Sequence, residues 1–137
     1  MRNIFLLSVI SLVCISLNAQ SGFKNDININ SDSIEFLKES DKINFSNNVE
    51  INSEYVNIKA ESAIYDHIKN VISFKGSPSF IKSKKDDNLF DGKAETILFF
   101  NDEKIHLIGN ASMKYENLSI SSNSIIFNPQ TGKMSSG

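Results

Sequence analysis

The stretch GKAETILFF, residues 92–100, has a near copy earlier in the chain, IKAESAIYD at residues 58–66. Two shorter copies are NSDSIEF at 30–36 and SSNSIIF at 121–127. Each copy has the same order of residue types: a small residue, then Asp, Glu or Asn, then Ser or Thr, then Ile or Ala, then any residue, and finally an aromatic residue. The copies recur at roughly 30 residues, and a period of about 20–50 residues is typical of folds that stack one supersecondary unit. The sequence therefore predicts a fold built by repetition.

Three strand-like segments form the other half of the repeat: INFSNNVEI at 43–51, ISFKGSPSF at 72–80 and IHLIGNASM at 105–113. Apolar residues fall on alternate positions in each segment, which is the pattern of a half-buried strand. No window keeps apolar residues at helical spacing for three turns. We therefore expect an all-β domain whose strands have one apolar face and one wet face.

Equivalent positions of these segments hold Asn47, Gly76 and Gly109, residue types that tolerate unusual backbone angles. Asn or Gly inside a strand pattern indicates a β-bulge or a sharp bend. Strands that bend at the same place would coil the sheet around its apolar side chains. Turn-forming residues around Asn70 and the polar run KSKKDDN at 82–88 indicate loops between strands.

The first residues have the layout of a secretory signal peptide. Arg2 gives a basic start, residues 4–17 are apolar, and Ala19 ends a plausible cleavage site. As a retained membrane anchor the apolar run is short, because a bilayer span needs about 20 residues. We predict that residues 1–19 are a cleaved signal peptide and that residues 20–137 form one exported domain.

Composition excludes several classes of protein. Cys14, the only cysteine, lies inside the predicted signal peptide, so we expect no disulfide, thiol catalysis or thiolate metal site in the mature domain. Such an exported domain is stabilised by its own core. The formal net charge of −2 argues against nucleic-acid binding, which requires a concentrated basic face.

Catalytic and metal-binding patterns are missing from the sequence. His67 and His106 are the two histidines, far apart in the sequence and without carboxylates at ligand spacing. Acidic pairs such as Asp102-Glu103 fit solvated turns. There is no nucleophile elbow and no glycine-rich phosphate loop. We expect neither an enzyme nor a metal or cofactor site.

A family resemblance is clearest in LIGNASMKYENLSISSNSIIFNPQTGKM, residues 107–134. Together with INFSNNVEI and VNIKAESAIYD, and with ISFKGSPSF and DGKAETILFF, this segment resembles the LptA/OstA lipopolysaccharide-export family over about residues 28 to 134. The chain departs from the family pattern at Asn47, where a glycine is usual, and at Pro78. The resemblance implies an OstA-like β-jellyroll of open, twisted antiparallel sheets with an apolar interior.

The same resemblance implies a function and partners. It implies a periplasmic carrier, or bridge, that binds lipopolysaccharide and shields its lipid A acyl chains between the inner and outer membranes. Other jellyroll proteins of the export system at both membranes are the implied protein partners. Two alternatives are open: a membrane-anchored jellyroll component of the same system, and an adaptor without lipid that binds partners through exposed strand edges.

The alternating pattern also gives a set of residues expected to face inward. They form a plain core by pattern alone, and the resemblance implies that they also contact lipid. These residues are Ile34, Phe36, Ile43, Phe45, Val49, Ile58, Ile72, Phe74, Phe80, Ile97, Phe99, Ile105, Leu107, Met113, Ile120, Ile125 and Phe127.

Two further features bear on binding. Lys82, Lys84 and Lys85 form a basic group that could attract lipid phosphates, but Asp86 and Asp87 follow at once and favour a solvated loop. A strand also lies close to each end of the mature chain, and an open sheet leaves both edges with unpaired backbone groups. We expect head-to-tail self-association through these terminal strands.

Overall fold

The computed structural model describes residues 23, 26–84 and 90–136. The predicted signal peptide, residues 1–19, lies outside the described residues, as do Lys85, Asp86 and Asp87. Nine strands follow one another along the chain: β1 (Asn28–Asn30), β2 (Ser33–Leu37), β3 (Lys42–Asn52), β4 (Val56–Asp66), β5 (Val71–Ser83), β6 (Phe90–Phe100), β7 (Ile105–Tyr115), β8 (Leu118–Phe127) and β9 (Met134–Ser136). A 3-10 turn, Lys38–Ser40, joins β2 to β3. In the described part of the chain, no helix has the length and apolar character needed to span a membrane.

The strands form one antiparallel sheet in which almost every strand pairs with its neighbours in sequence. The order is β1-β3-β4-β5-β6-β7-β8-β9, and β2 pairs with β3 beside β1. Polar turns connect the long strands. At the turn after β4, for example, the Asp66 carboxylate accepts hydrogen bonds from the N–H groups of Ile68 and Lys69. Short links of this kind let neighbouring strands run antiparallel. The predicted all-β fold with an open antiparallel sheet is confirmed.

Each pairing between the long strands β3 to β8 is interrupted by an irregularity near its middle. The interruptions fall between Ser46 and Val49, Lys59 and Ser62, Lys75 and Ser79, Lys93 and Thr96, and Ile108 and Ala111.

Backbone conformation explains where these bends fall. Asn47 and Asn48 both have positive φ, 65° and 52°, and together they lie opposite the single residue Glu61. Gly109 and Asn110 have φ of 84° and 45° at the matching place in β7. Asn and Gly are the residues that adopt this left-handed region at least cost. The strand pairing is irregular at each predicted position, Asn47, Gly76 and Gly109, and of these three residues Asn47 and Gly109 have positive φ.

The bends divide the sheet into two layers. The first layer holds β2, β9 and the segments 42–46, 62–66, 71–75, 96–100, 105–108 and 124–127. The second layer holds β1 and the segments 49–52, 56–59, 79–83, 90–93, 111–115 and 118–122. Every strand from β3 to β8 contributes to both layers.

The two layers face each other across one hydrophobic core. Phe90 of the second layer packs edge-on against Phe127 of the first, with ring centroids 4.4 Å apart. Gly92 of the second layer leaves room for Leu107 of the first, whose methyl carbon would lie 3.3 Å from a Cβ built at Gly92. Buried residues of both layers belong to a single cluster. The core is thus the space between the layers.

The sheet does not close on itself within the described residues. One edge consists of β1 and β2, and the other consists of β9 and the 118–122 half of β8. No strand pairing joins these two edges in the part of the chain that the structure describes. The last described strand is β9, which pairs with Ile125–Phe127 beyond the terminal strand that the sequence indicated.

Candidate functional site

The strand register places one residue of each strand from β2 to β8 in a continuous row along the inner face of the first layer. Aromatic and aliphatic side chains alternate along this row, because the repeated motif puts its aromatic residue at the same level every time. We call it the aromatic row; its members are Phe36, Ile43, Tyr65, Ile72, Phe99, Ile105 and Phe127. Cross-strand neighbours of this kind are the contacts that stabilise a sheet.

A parallel row lies beside the aromatic row, and a third row faces both from the second layer. The first of these contains Ile34, Phe45, Ala63, Phe74, Ile97, Leu107 and Ile125. The facing row contains Ile29, Ile51, Ile58, Ile81, Gly92, Met113 and Ile120. No charged residue belongs to the three rows, so the interior offers apolar contact without directional recognition.

Most of the residues predicted to face inward lie in this interior. Twelve are buried: Phe45, Val49, Ile58, Ile72, Phe74, Ile97, Phe99, Ile105, Leu107, Met113, Ile125 and Phe127. Ile43 and Ile120 are partly buried and pack against the core. Burial places these side chains in the interior, and their contact with lipid stays a prediction.

The inward position predicted for Phe80 is wrong. Phe80 is 53% exposed, and its cross-strand neighbours are the exposed residues Lys59 and Lys93. At its bend β5 is one residue longer than β3, because inward positions run from Phe74 to Ser79 in β5 but from Phe45 to Val49 in β3. The extra residue reverses the alternation, so Ile81 takes the inward position.

Ile34 and Phe36 lie on the inner face but are largely uncovered. They pair directly with Phe45 and Ile43, and residues opposite each other share a face. Their exposed fractions are nevertheless 53% and 71%, because β2 is the edge of the first layer. The aromatic row therefore runs from the fully buried Phe127 to the exposed Phe36. The apolar interior opens at the β1/β2 edge.

Phe23 occupies part of the opening at this edge. Its ring stacks on Phe99 with centroids 5.6 Å apart and lies 6.0 Å from the ring of Tyr65. A cavity of about 270 Å³ beside it is lined by Phe23, Asp26, Ile27, Ile29, Tyr65 and Ile72. Pockets for small ligands commonly measure about 300–1,000 Å³. The space is small as it stands, and Phe23 fills the adjoining volume.

Tyr65 contributes a ring to the interior and a polar tip to its border. Its hydroxyl is 3.1 Å from Nδ1 of His67. Burial raises the pKa of Tyr65, and the negative charge of Asp66 adds to the effect. The phenol therefore stays neutral at physiological pH and is compatible with an apolar lining.

Each of the two histidines lies beside an aromatic ring, His67 beside Tyr65 and His106 beside Phe100. His106 packs on Phe100 with ring centroids 4.8 Å apart on the outer face, and burial lowers its pKa, with Lys104 adding to the shift. Among the described residues, no group of three or more His, Cys, Asp or Glu side chains could hold a metal ion.

Sequence reasoning missed several residues of the interior. Phe90 is buried although it follows a run interpreted as a loop, which β5 in fact enters as far as Ser83. Ile51 and Tyr65 carried the alternation and the repeated motif, so these two could have been included from the pattern. Ile81 could not, because its orientation depends on the length of the bend.

Comparison with known proteins agrees with this architecture. Residues 28–133 match the family described as LptA/(LptD N-terminal domain) LPS transport protein. The crystal structure of LptH, described as the LptA homologous periplasmic component of the conserved lipopolysaccharide transport device from Pseudomonas aeruginosa, has the same jellyroll fold, with a TM-score of 0.75 and 19% identity over 86% of each chain. No curated protein sequence matches the chain. Since the family match extends over most of the sequence, the chain belongs to the LptA/LptD N-terminal domain family of lipopolysaccharide transport proteins.

Proposed function

We propose that this protein is a periplasmic bridge that carries lipopolysaccharide by holding its acyl chains between the two layers. The observation that carries the proposal is the aromatic row, which is buried at Phe127 and exposed at Phe36. An apolar interior that is continuous across the sheet and open at one edge suits a chain-like apolar ligand. Membership of a lipopolysaccharide transport family supports this choice of ligand.

The energetics fit a carrier that must also release its cargo. Each CH₂ group transferred from water into an apolar interior contributes about 0.8 kcal/mol, so an acyl chain gains affinity in proportion to its buried length. The three rows contain no charged group that would fix the ligand in one position. Binding of this kind is non-directional, and the ligand can move along the rows without breaking specific hydrogen bonds.

Loading requires the two layers to move apart, because buried side chains fill the space between them and the cavity at the β1/β2 edge is small. We propose that an acyl chain enters beside Phe36 and displaces Phe23 from Phe99. The layers then separate at the open edge, where no strand pairing holds them together within the described residues. The bends act as the hinge of this separation.

Bridging an aqueous compartment requires contact between successive jellyrolls. The β1/β2 edge and the β8/β9 edge differ, so pairing between them is heterologous and can extend into a rod. Adding a strand to an exposed edge is an established mode of protein recognition. We propose that these edges join copies of the chain, or join it to jellyroll partners at either membrane, after export with cleavage of residues 1–19.

The test is lipopolysaccharide uptake by delipidated mature protein, measured with parent, Phe36→Ser and Ile68→Ser. Phe36 and Ile68 are equally exposed, 71% and 70%, but Ile68 lies in the turn between β4 and β5 and does not line the cavity at the β1/β2 edge. Saturable uptake by the parent, weakened in Phe36→Ser and unchanged in Ile68→Ser, supports the proposal. Absence of uptake by the parent contradicts it and favours the adaptor without lipid.

A further inference from the structure

The outer face of the second layer carries an exposed aromatic ring between cations. Phe80 is 53% exposed, and Lys59 and Lys93 lie directly opposite it on the two neighbouring strands. Cross-strand neighbours in an antiparallel sheet have Cβ atoms about 5 Å apart. Both ammonium groups can therefore reach a ligand that lies on the Phe80 ring.

The adjacent level of the same face adds two more cations. Lys82 pairs across the strands with Asp91, and Asp91 pairs with Lys114. Glu50 on β3 lies opposite Lys59, so this face holds four lysines, two carboxylates and one phenyl ring. Within the described part of the chain, none of these four lysines forms a salt bridge. The face has a local excess of positive charge on a protein whose formal net charge is −2.

These side chains line a groove of about 430 Å³. Its remaining polar lining is rich in hydroxyl groups, from Ser112, Ser119 and Ser121. Lys93, Ser112 and Ser121 also line a second depression of about 690 Å³, which continues toward Asn110 and Asn123 at the bend. The two form one extended, shallow surface that changes from cationic and aromatic to hydroxyl- and amide-rich.

We propose that this outer groove binds a phosphate-bearing oligosaccharide. The apolar face of a sugar ring packs on Phe80, and the lysines meet its phosphate groups as point charges. Serine hydroxyls and the amides of Asn110 and Asn123 offer the donors and acceptors that sugar hydroxyls require. The volume lies in the range of ligand sites, about 300–1,000 Å³.

Phe80 and the four lysines lie on the outer face of the second layer, opposite the face that bounds the apolar interior. Ile81, Gly92, Met113 and Ile120 of the facing row also line the groove, so an acyl chain is left out of the probe. A probe without acyl chains therefore tests it separately from the proposed function. Suitable probes are phosphorylated maltotetraose and a glucosamine disaccharide bisphosphate. Matched comparisons are unphosphorylated maltotetraose, inorganic phosphate and a polyglutamate peptide.

The experiment is a titration of isotope-labelled mature protein followed by amide chemical shifts. Saturable shifts confined to strands β4 to β8 of the second layer are expected with a phosphorylated saccharide. Replacing one charged hydrogen-bonding partner, as in Lys93→Gln or Lys82→Gln, should weaken binding about tenfold. Phe80→Ser should weaken it as well, because the sugar loses its apolar platform.

Lys75→Gln is the matched control, because Lys75 lies on the same strand as Lys82 but on the outer face of the first layer, away from the groove. It should bind as the parent does, and thermal unfolding of each variant checks that the fold is intact. The proposal is overturned if neither phosphorylated saccharide binds saturably, or if Lys93→Gln and Lys82→Gln bind like the parent. Equal binding of maltotetraose, phosphate alone or polyglutamate would also overturn it.

Discussion

Asn47 and Gly109 show how single residues decide the shape of the sheet. Both lie at bends with positive φ, 65° and 84°. The left-handed conformation raises the free energy of a non-glycine residue by about 1–2 kcal/mol, and the increase is smaller for Asn than for most residues. Asn47 therefore preserves the bend at a position where the family pattern has glycine.

Gly109→Ala should therefore destabilise the fold by about 1–3 kcal/mol, since strain in the left-handed region adds to a clash of the new methyl group with the Glu95 side chain. Asn47→Gly is the matched control. Relief of strain and added freedom of the unfolded chain oppose each other there, so its stability should stay within about 1 kcal/mol of the parent. Urea unfolding measures both variants, and a Gly109→Ala protein as stable as Asn47→Gly would contradict this account of the bends.

Phe74 and Phe80 lie on the same strand and on opposite faces. Phe74→Ala should lower the free energy of unfolding by about 3–5 kcal/mol, because the ring is fully buried between the layers. Phe80→Ala should lower it by less than about 1 kcal/mol, because half of that ring is already in water. Chemical denaturation measures the free energy of unfolding of both variants. Similar losses in the two variants would contradict the outward orientation of Phe80.

The sequence predicts residue orientation well where the bend preserves alternation and poorly where it does not. In β3 the inward positions keep their parity through Asn47 and Asn48, so Val49 and Ile51 follow correctly from Ile43 and Phe45. In β5 the alternation reverses, and Phe80 and Ile81 exchange roles. Local composition does not reveal the number of residues that a bend accommodates, because that number depends on the partner strands.

At the scale of strands, the β1/β2 edge combines an exposed apolar face with a ring that partly fills the opening. The repeat predicted the strands and their bends. The outer groove was not predicted, because Lys59, Lys93 and Lys114 become neighbours of Phe80 and Asp91 only through the register of four strands. The basic group noted in the sequence contributes Lys82 to it.

Phe23→Ser should increase lipopolysaccharide uptake, because it removes the ring that an entering acyl chain has to displace. The same change should cost about 1 kcal/mol of stability through the lost aromatic packing on Phe99. Phe100→Ser is the control, since Phe100 contacts His106 on the outer face. Uptake and thermal unfolding are measured together. Weaker uptake by Phe23→Ser than by Phe100→Ser would show that Phe23 supports the site and does not obstruct it.

Association through the edges predicts a concentration-dependent sedimentation coefficient. Ile29→Pro removes a backbone donor from β1 and should reduce association between copies. Leu118→Ser, at an exposed position of β8, leaves the backbone donors in place and tests whether side chains contribute. A parent that stays monomeric over a wide concentration range, and that also fails to bind jellyroll partners, would exclude edge pairing.

At the scale of the whole molecule, one sheet folded at its bends encloses three apolar rows and presents two different edges. The aromatic row is fully covered at Ile105 and Phe127 and loses its cover toward Ile43 and Phe36. This gradient gives the interior a direction across the sheet, with an opening at the β1/β2 edge. The repeated motif produces the three rows. The sheet stays open because, among the described residues, its two edges do not pair with each other.

The central claim is that acyl chains lie between the layers, and site-specific photo-crosslinking to lipopolysaccharide tests it most directly. A photoreactive residue is placed at Ile43, on the inner face, or at Ile64, on the outer face of the neighbouring strand in the same layer. The account predicts strong crosslinking from position 43 and little from position 64. Crosslinking from position 64 that equals or exceeds that from position 43 would contradict it.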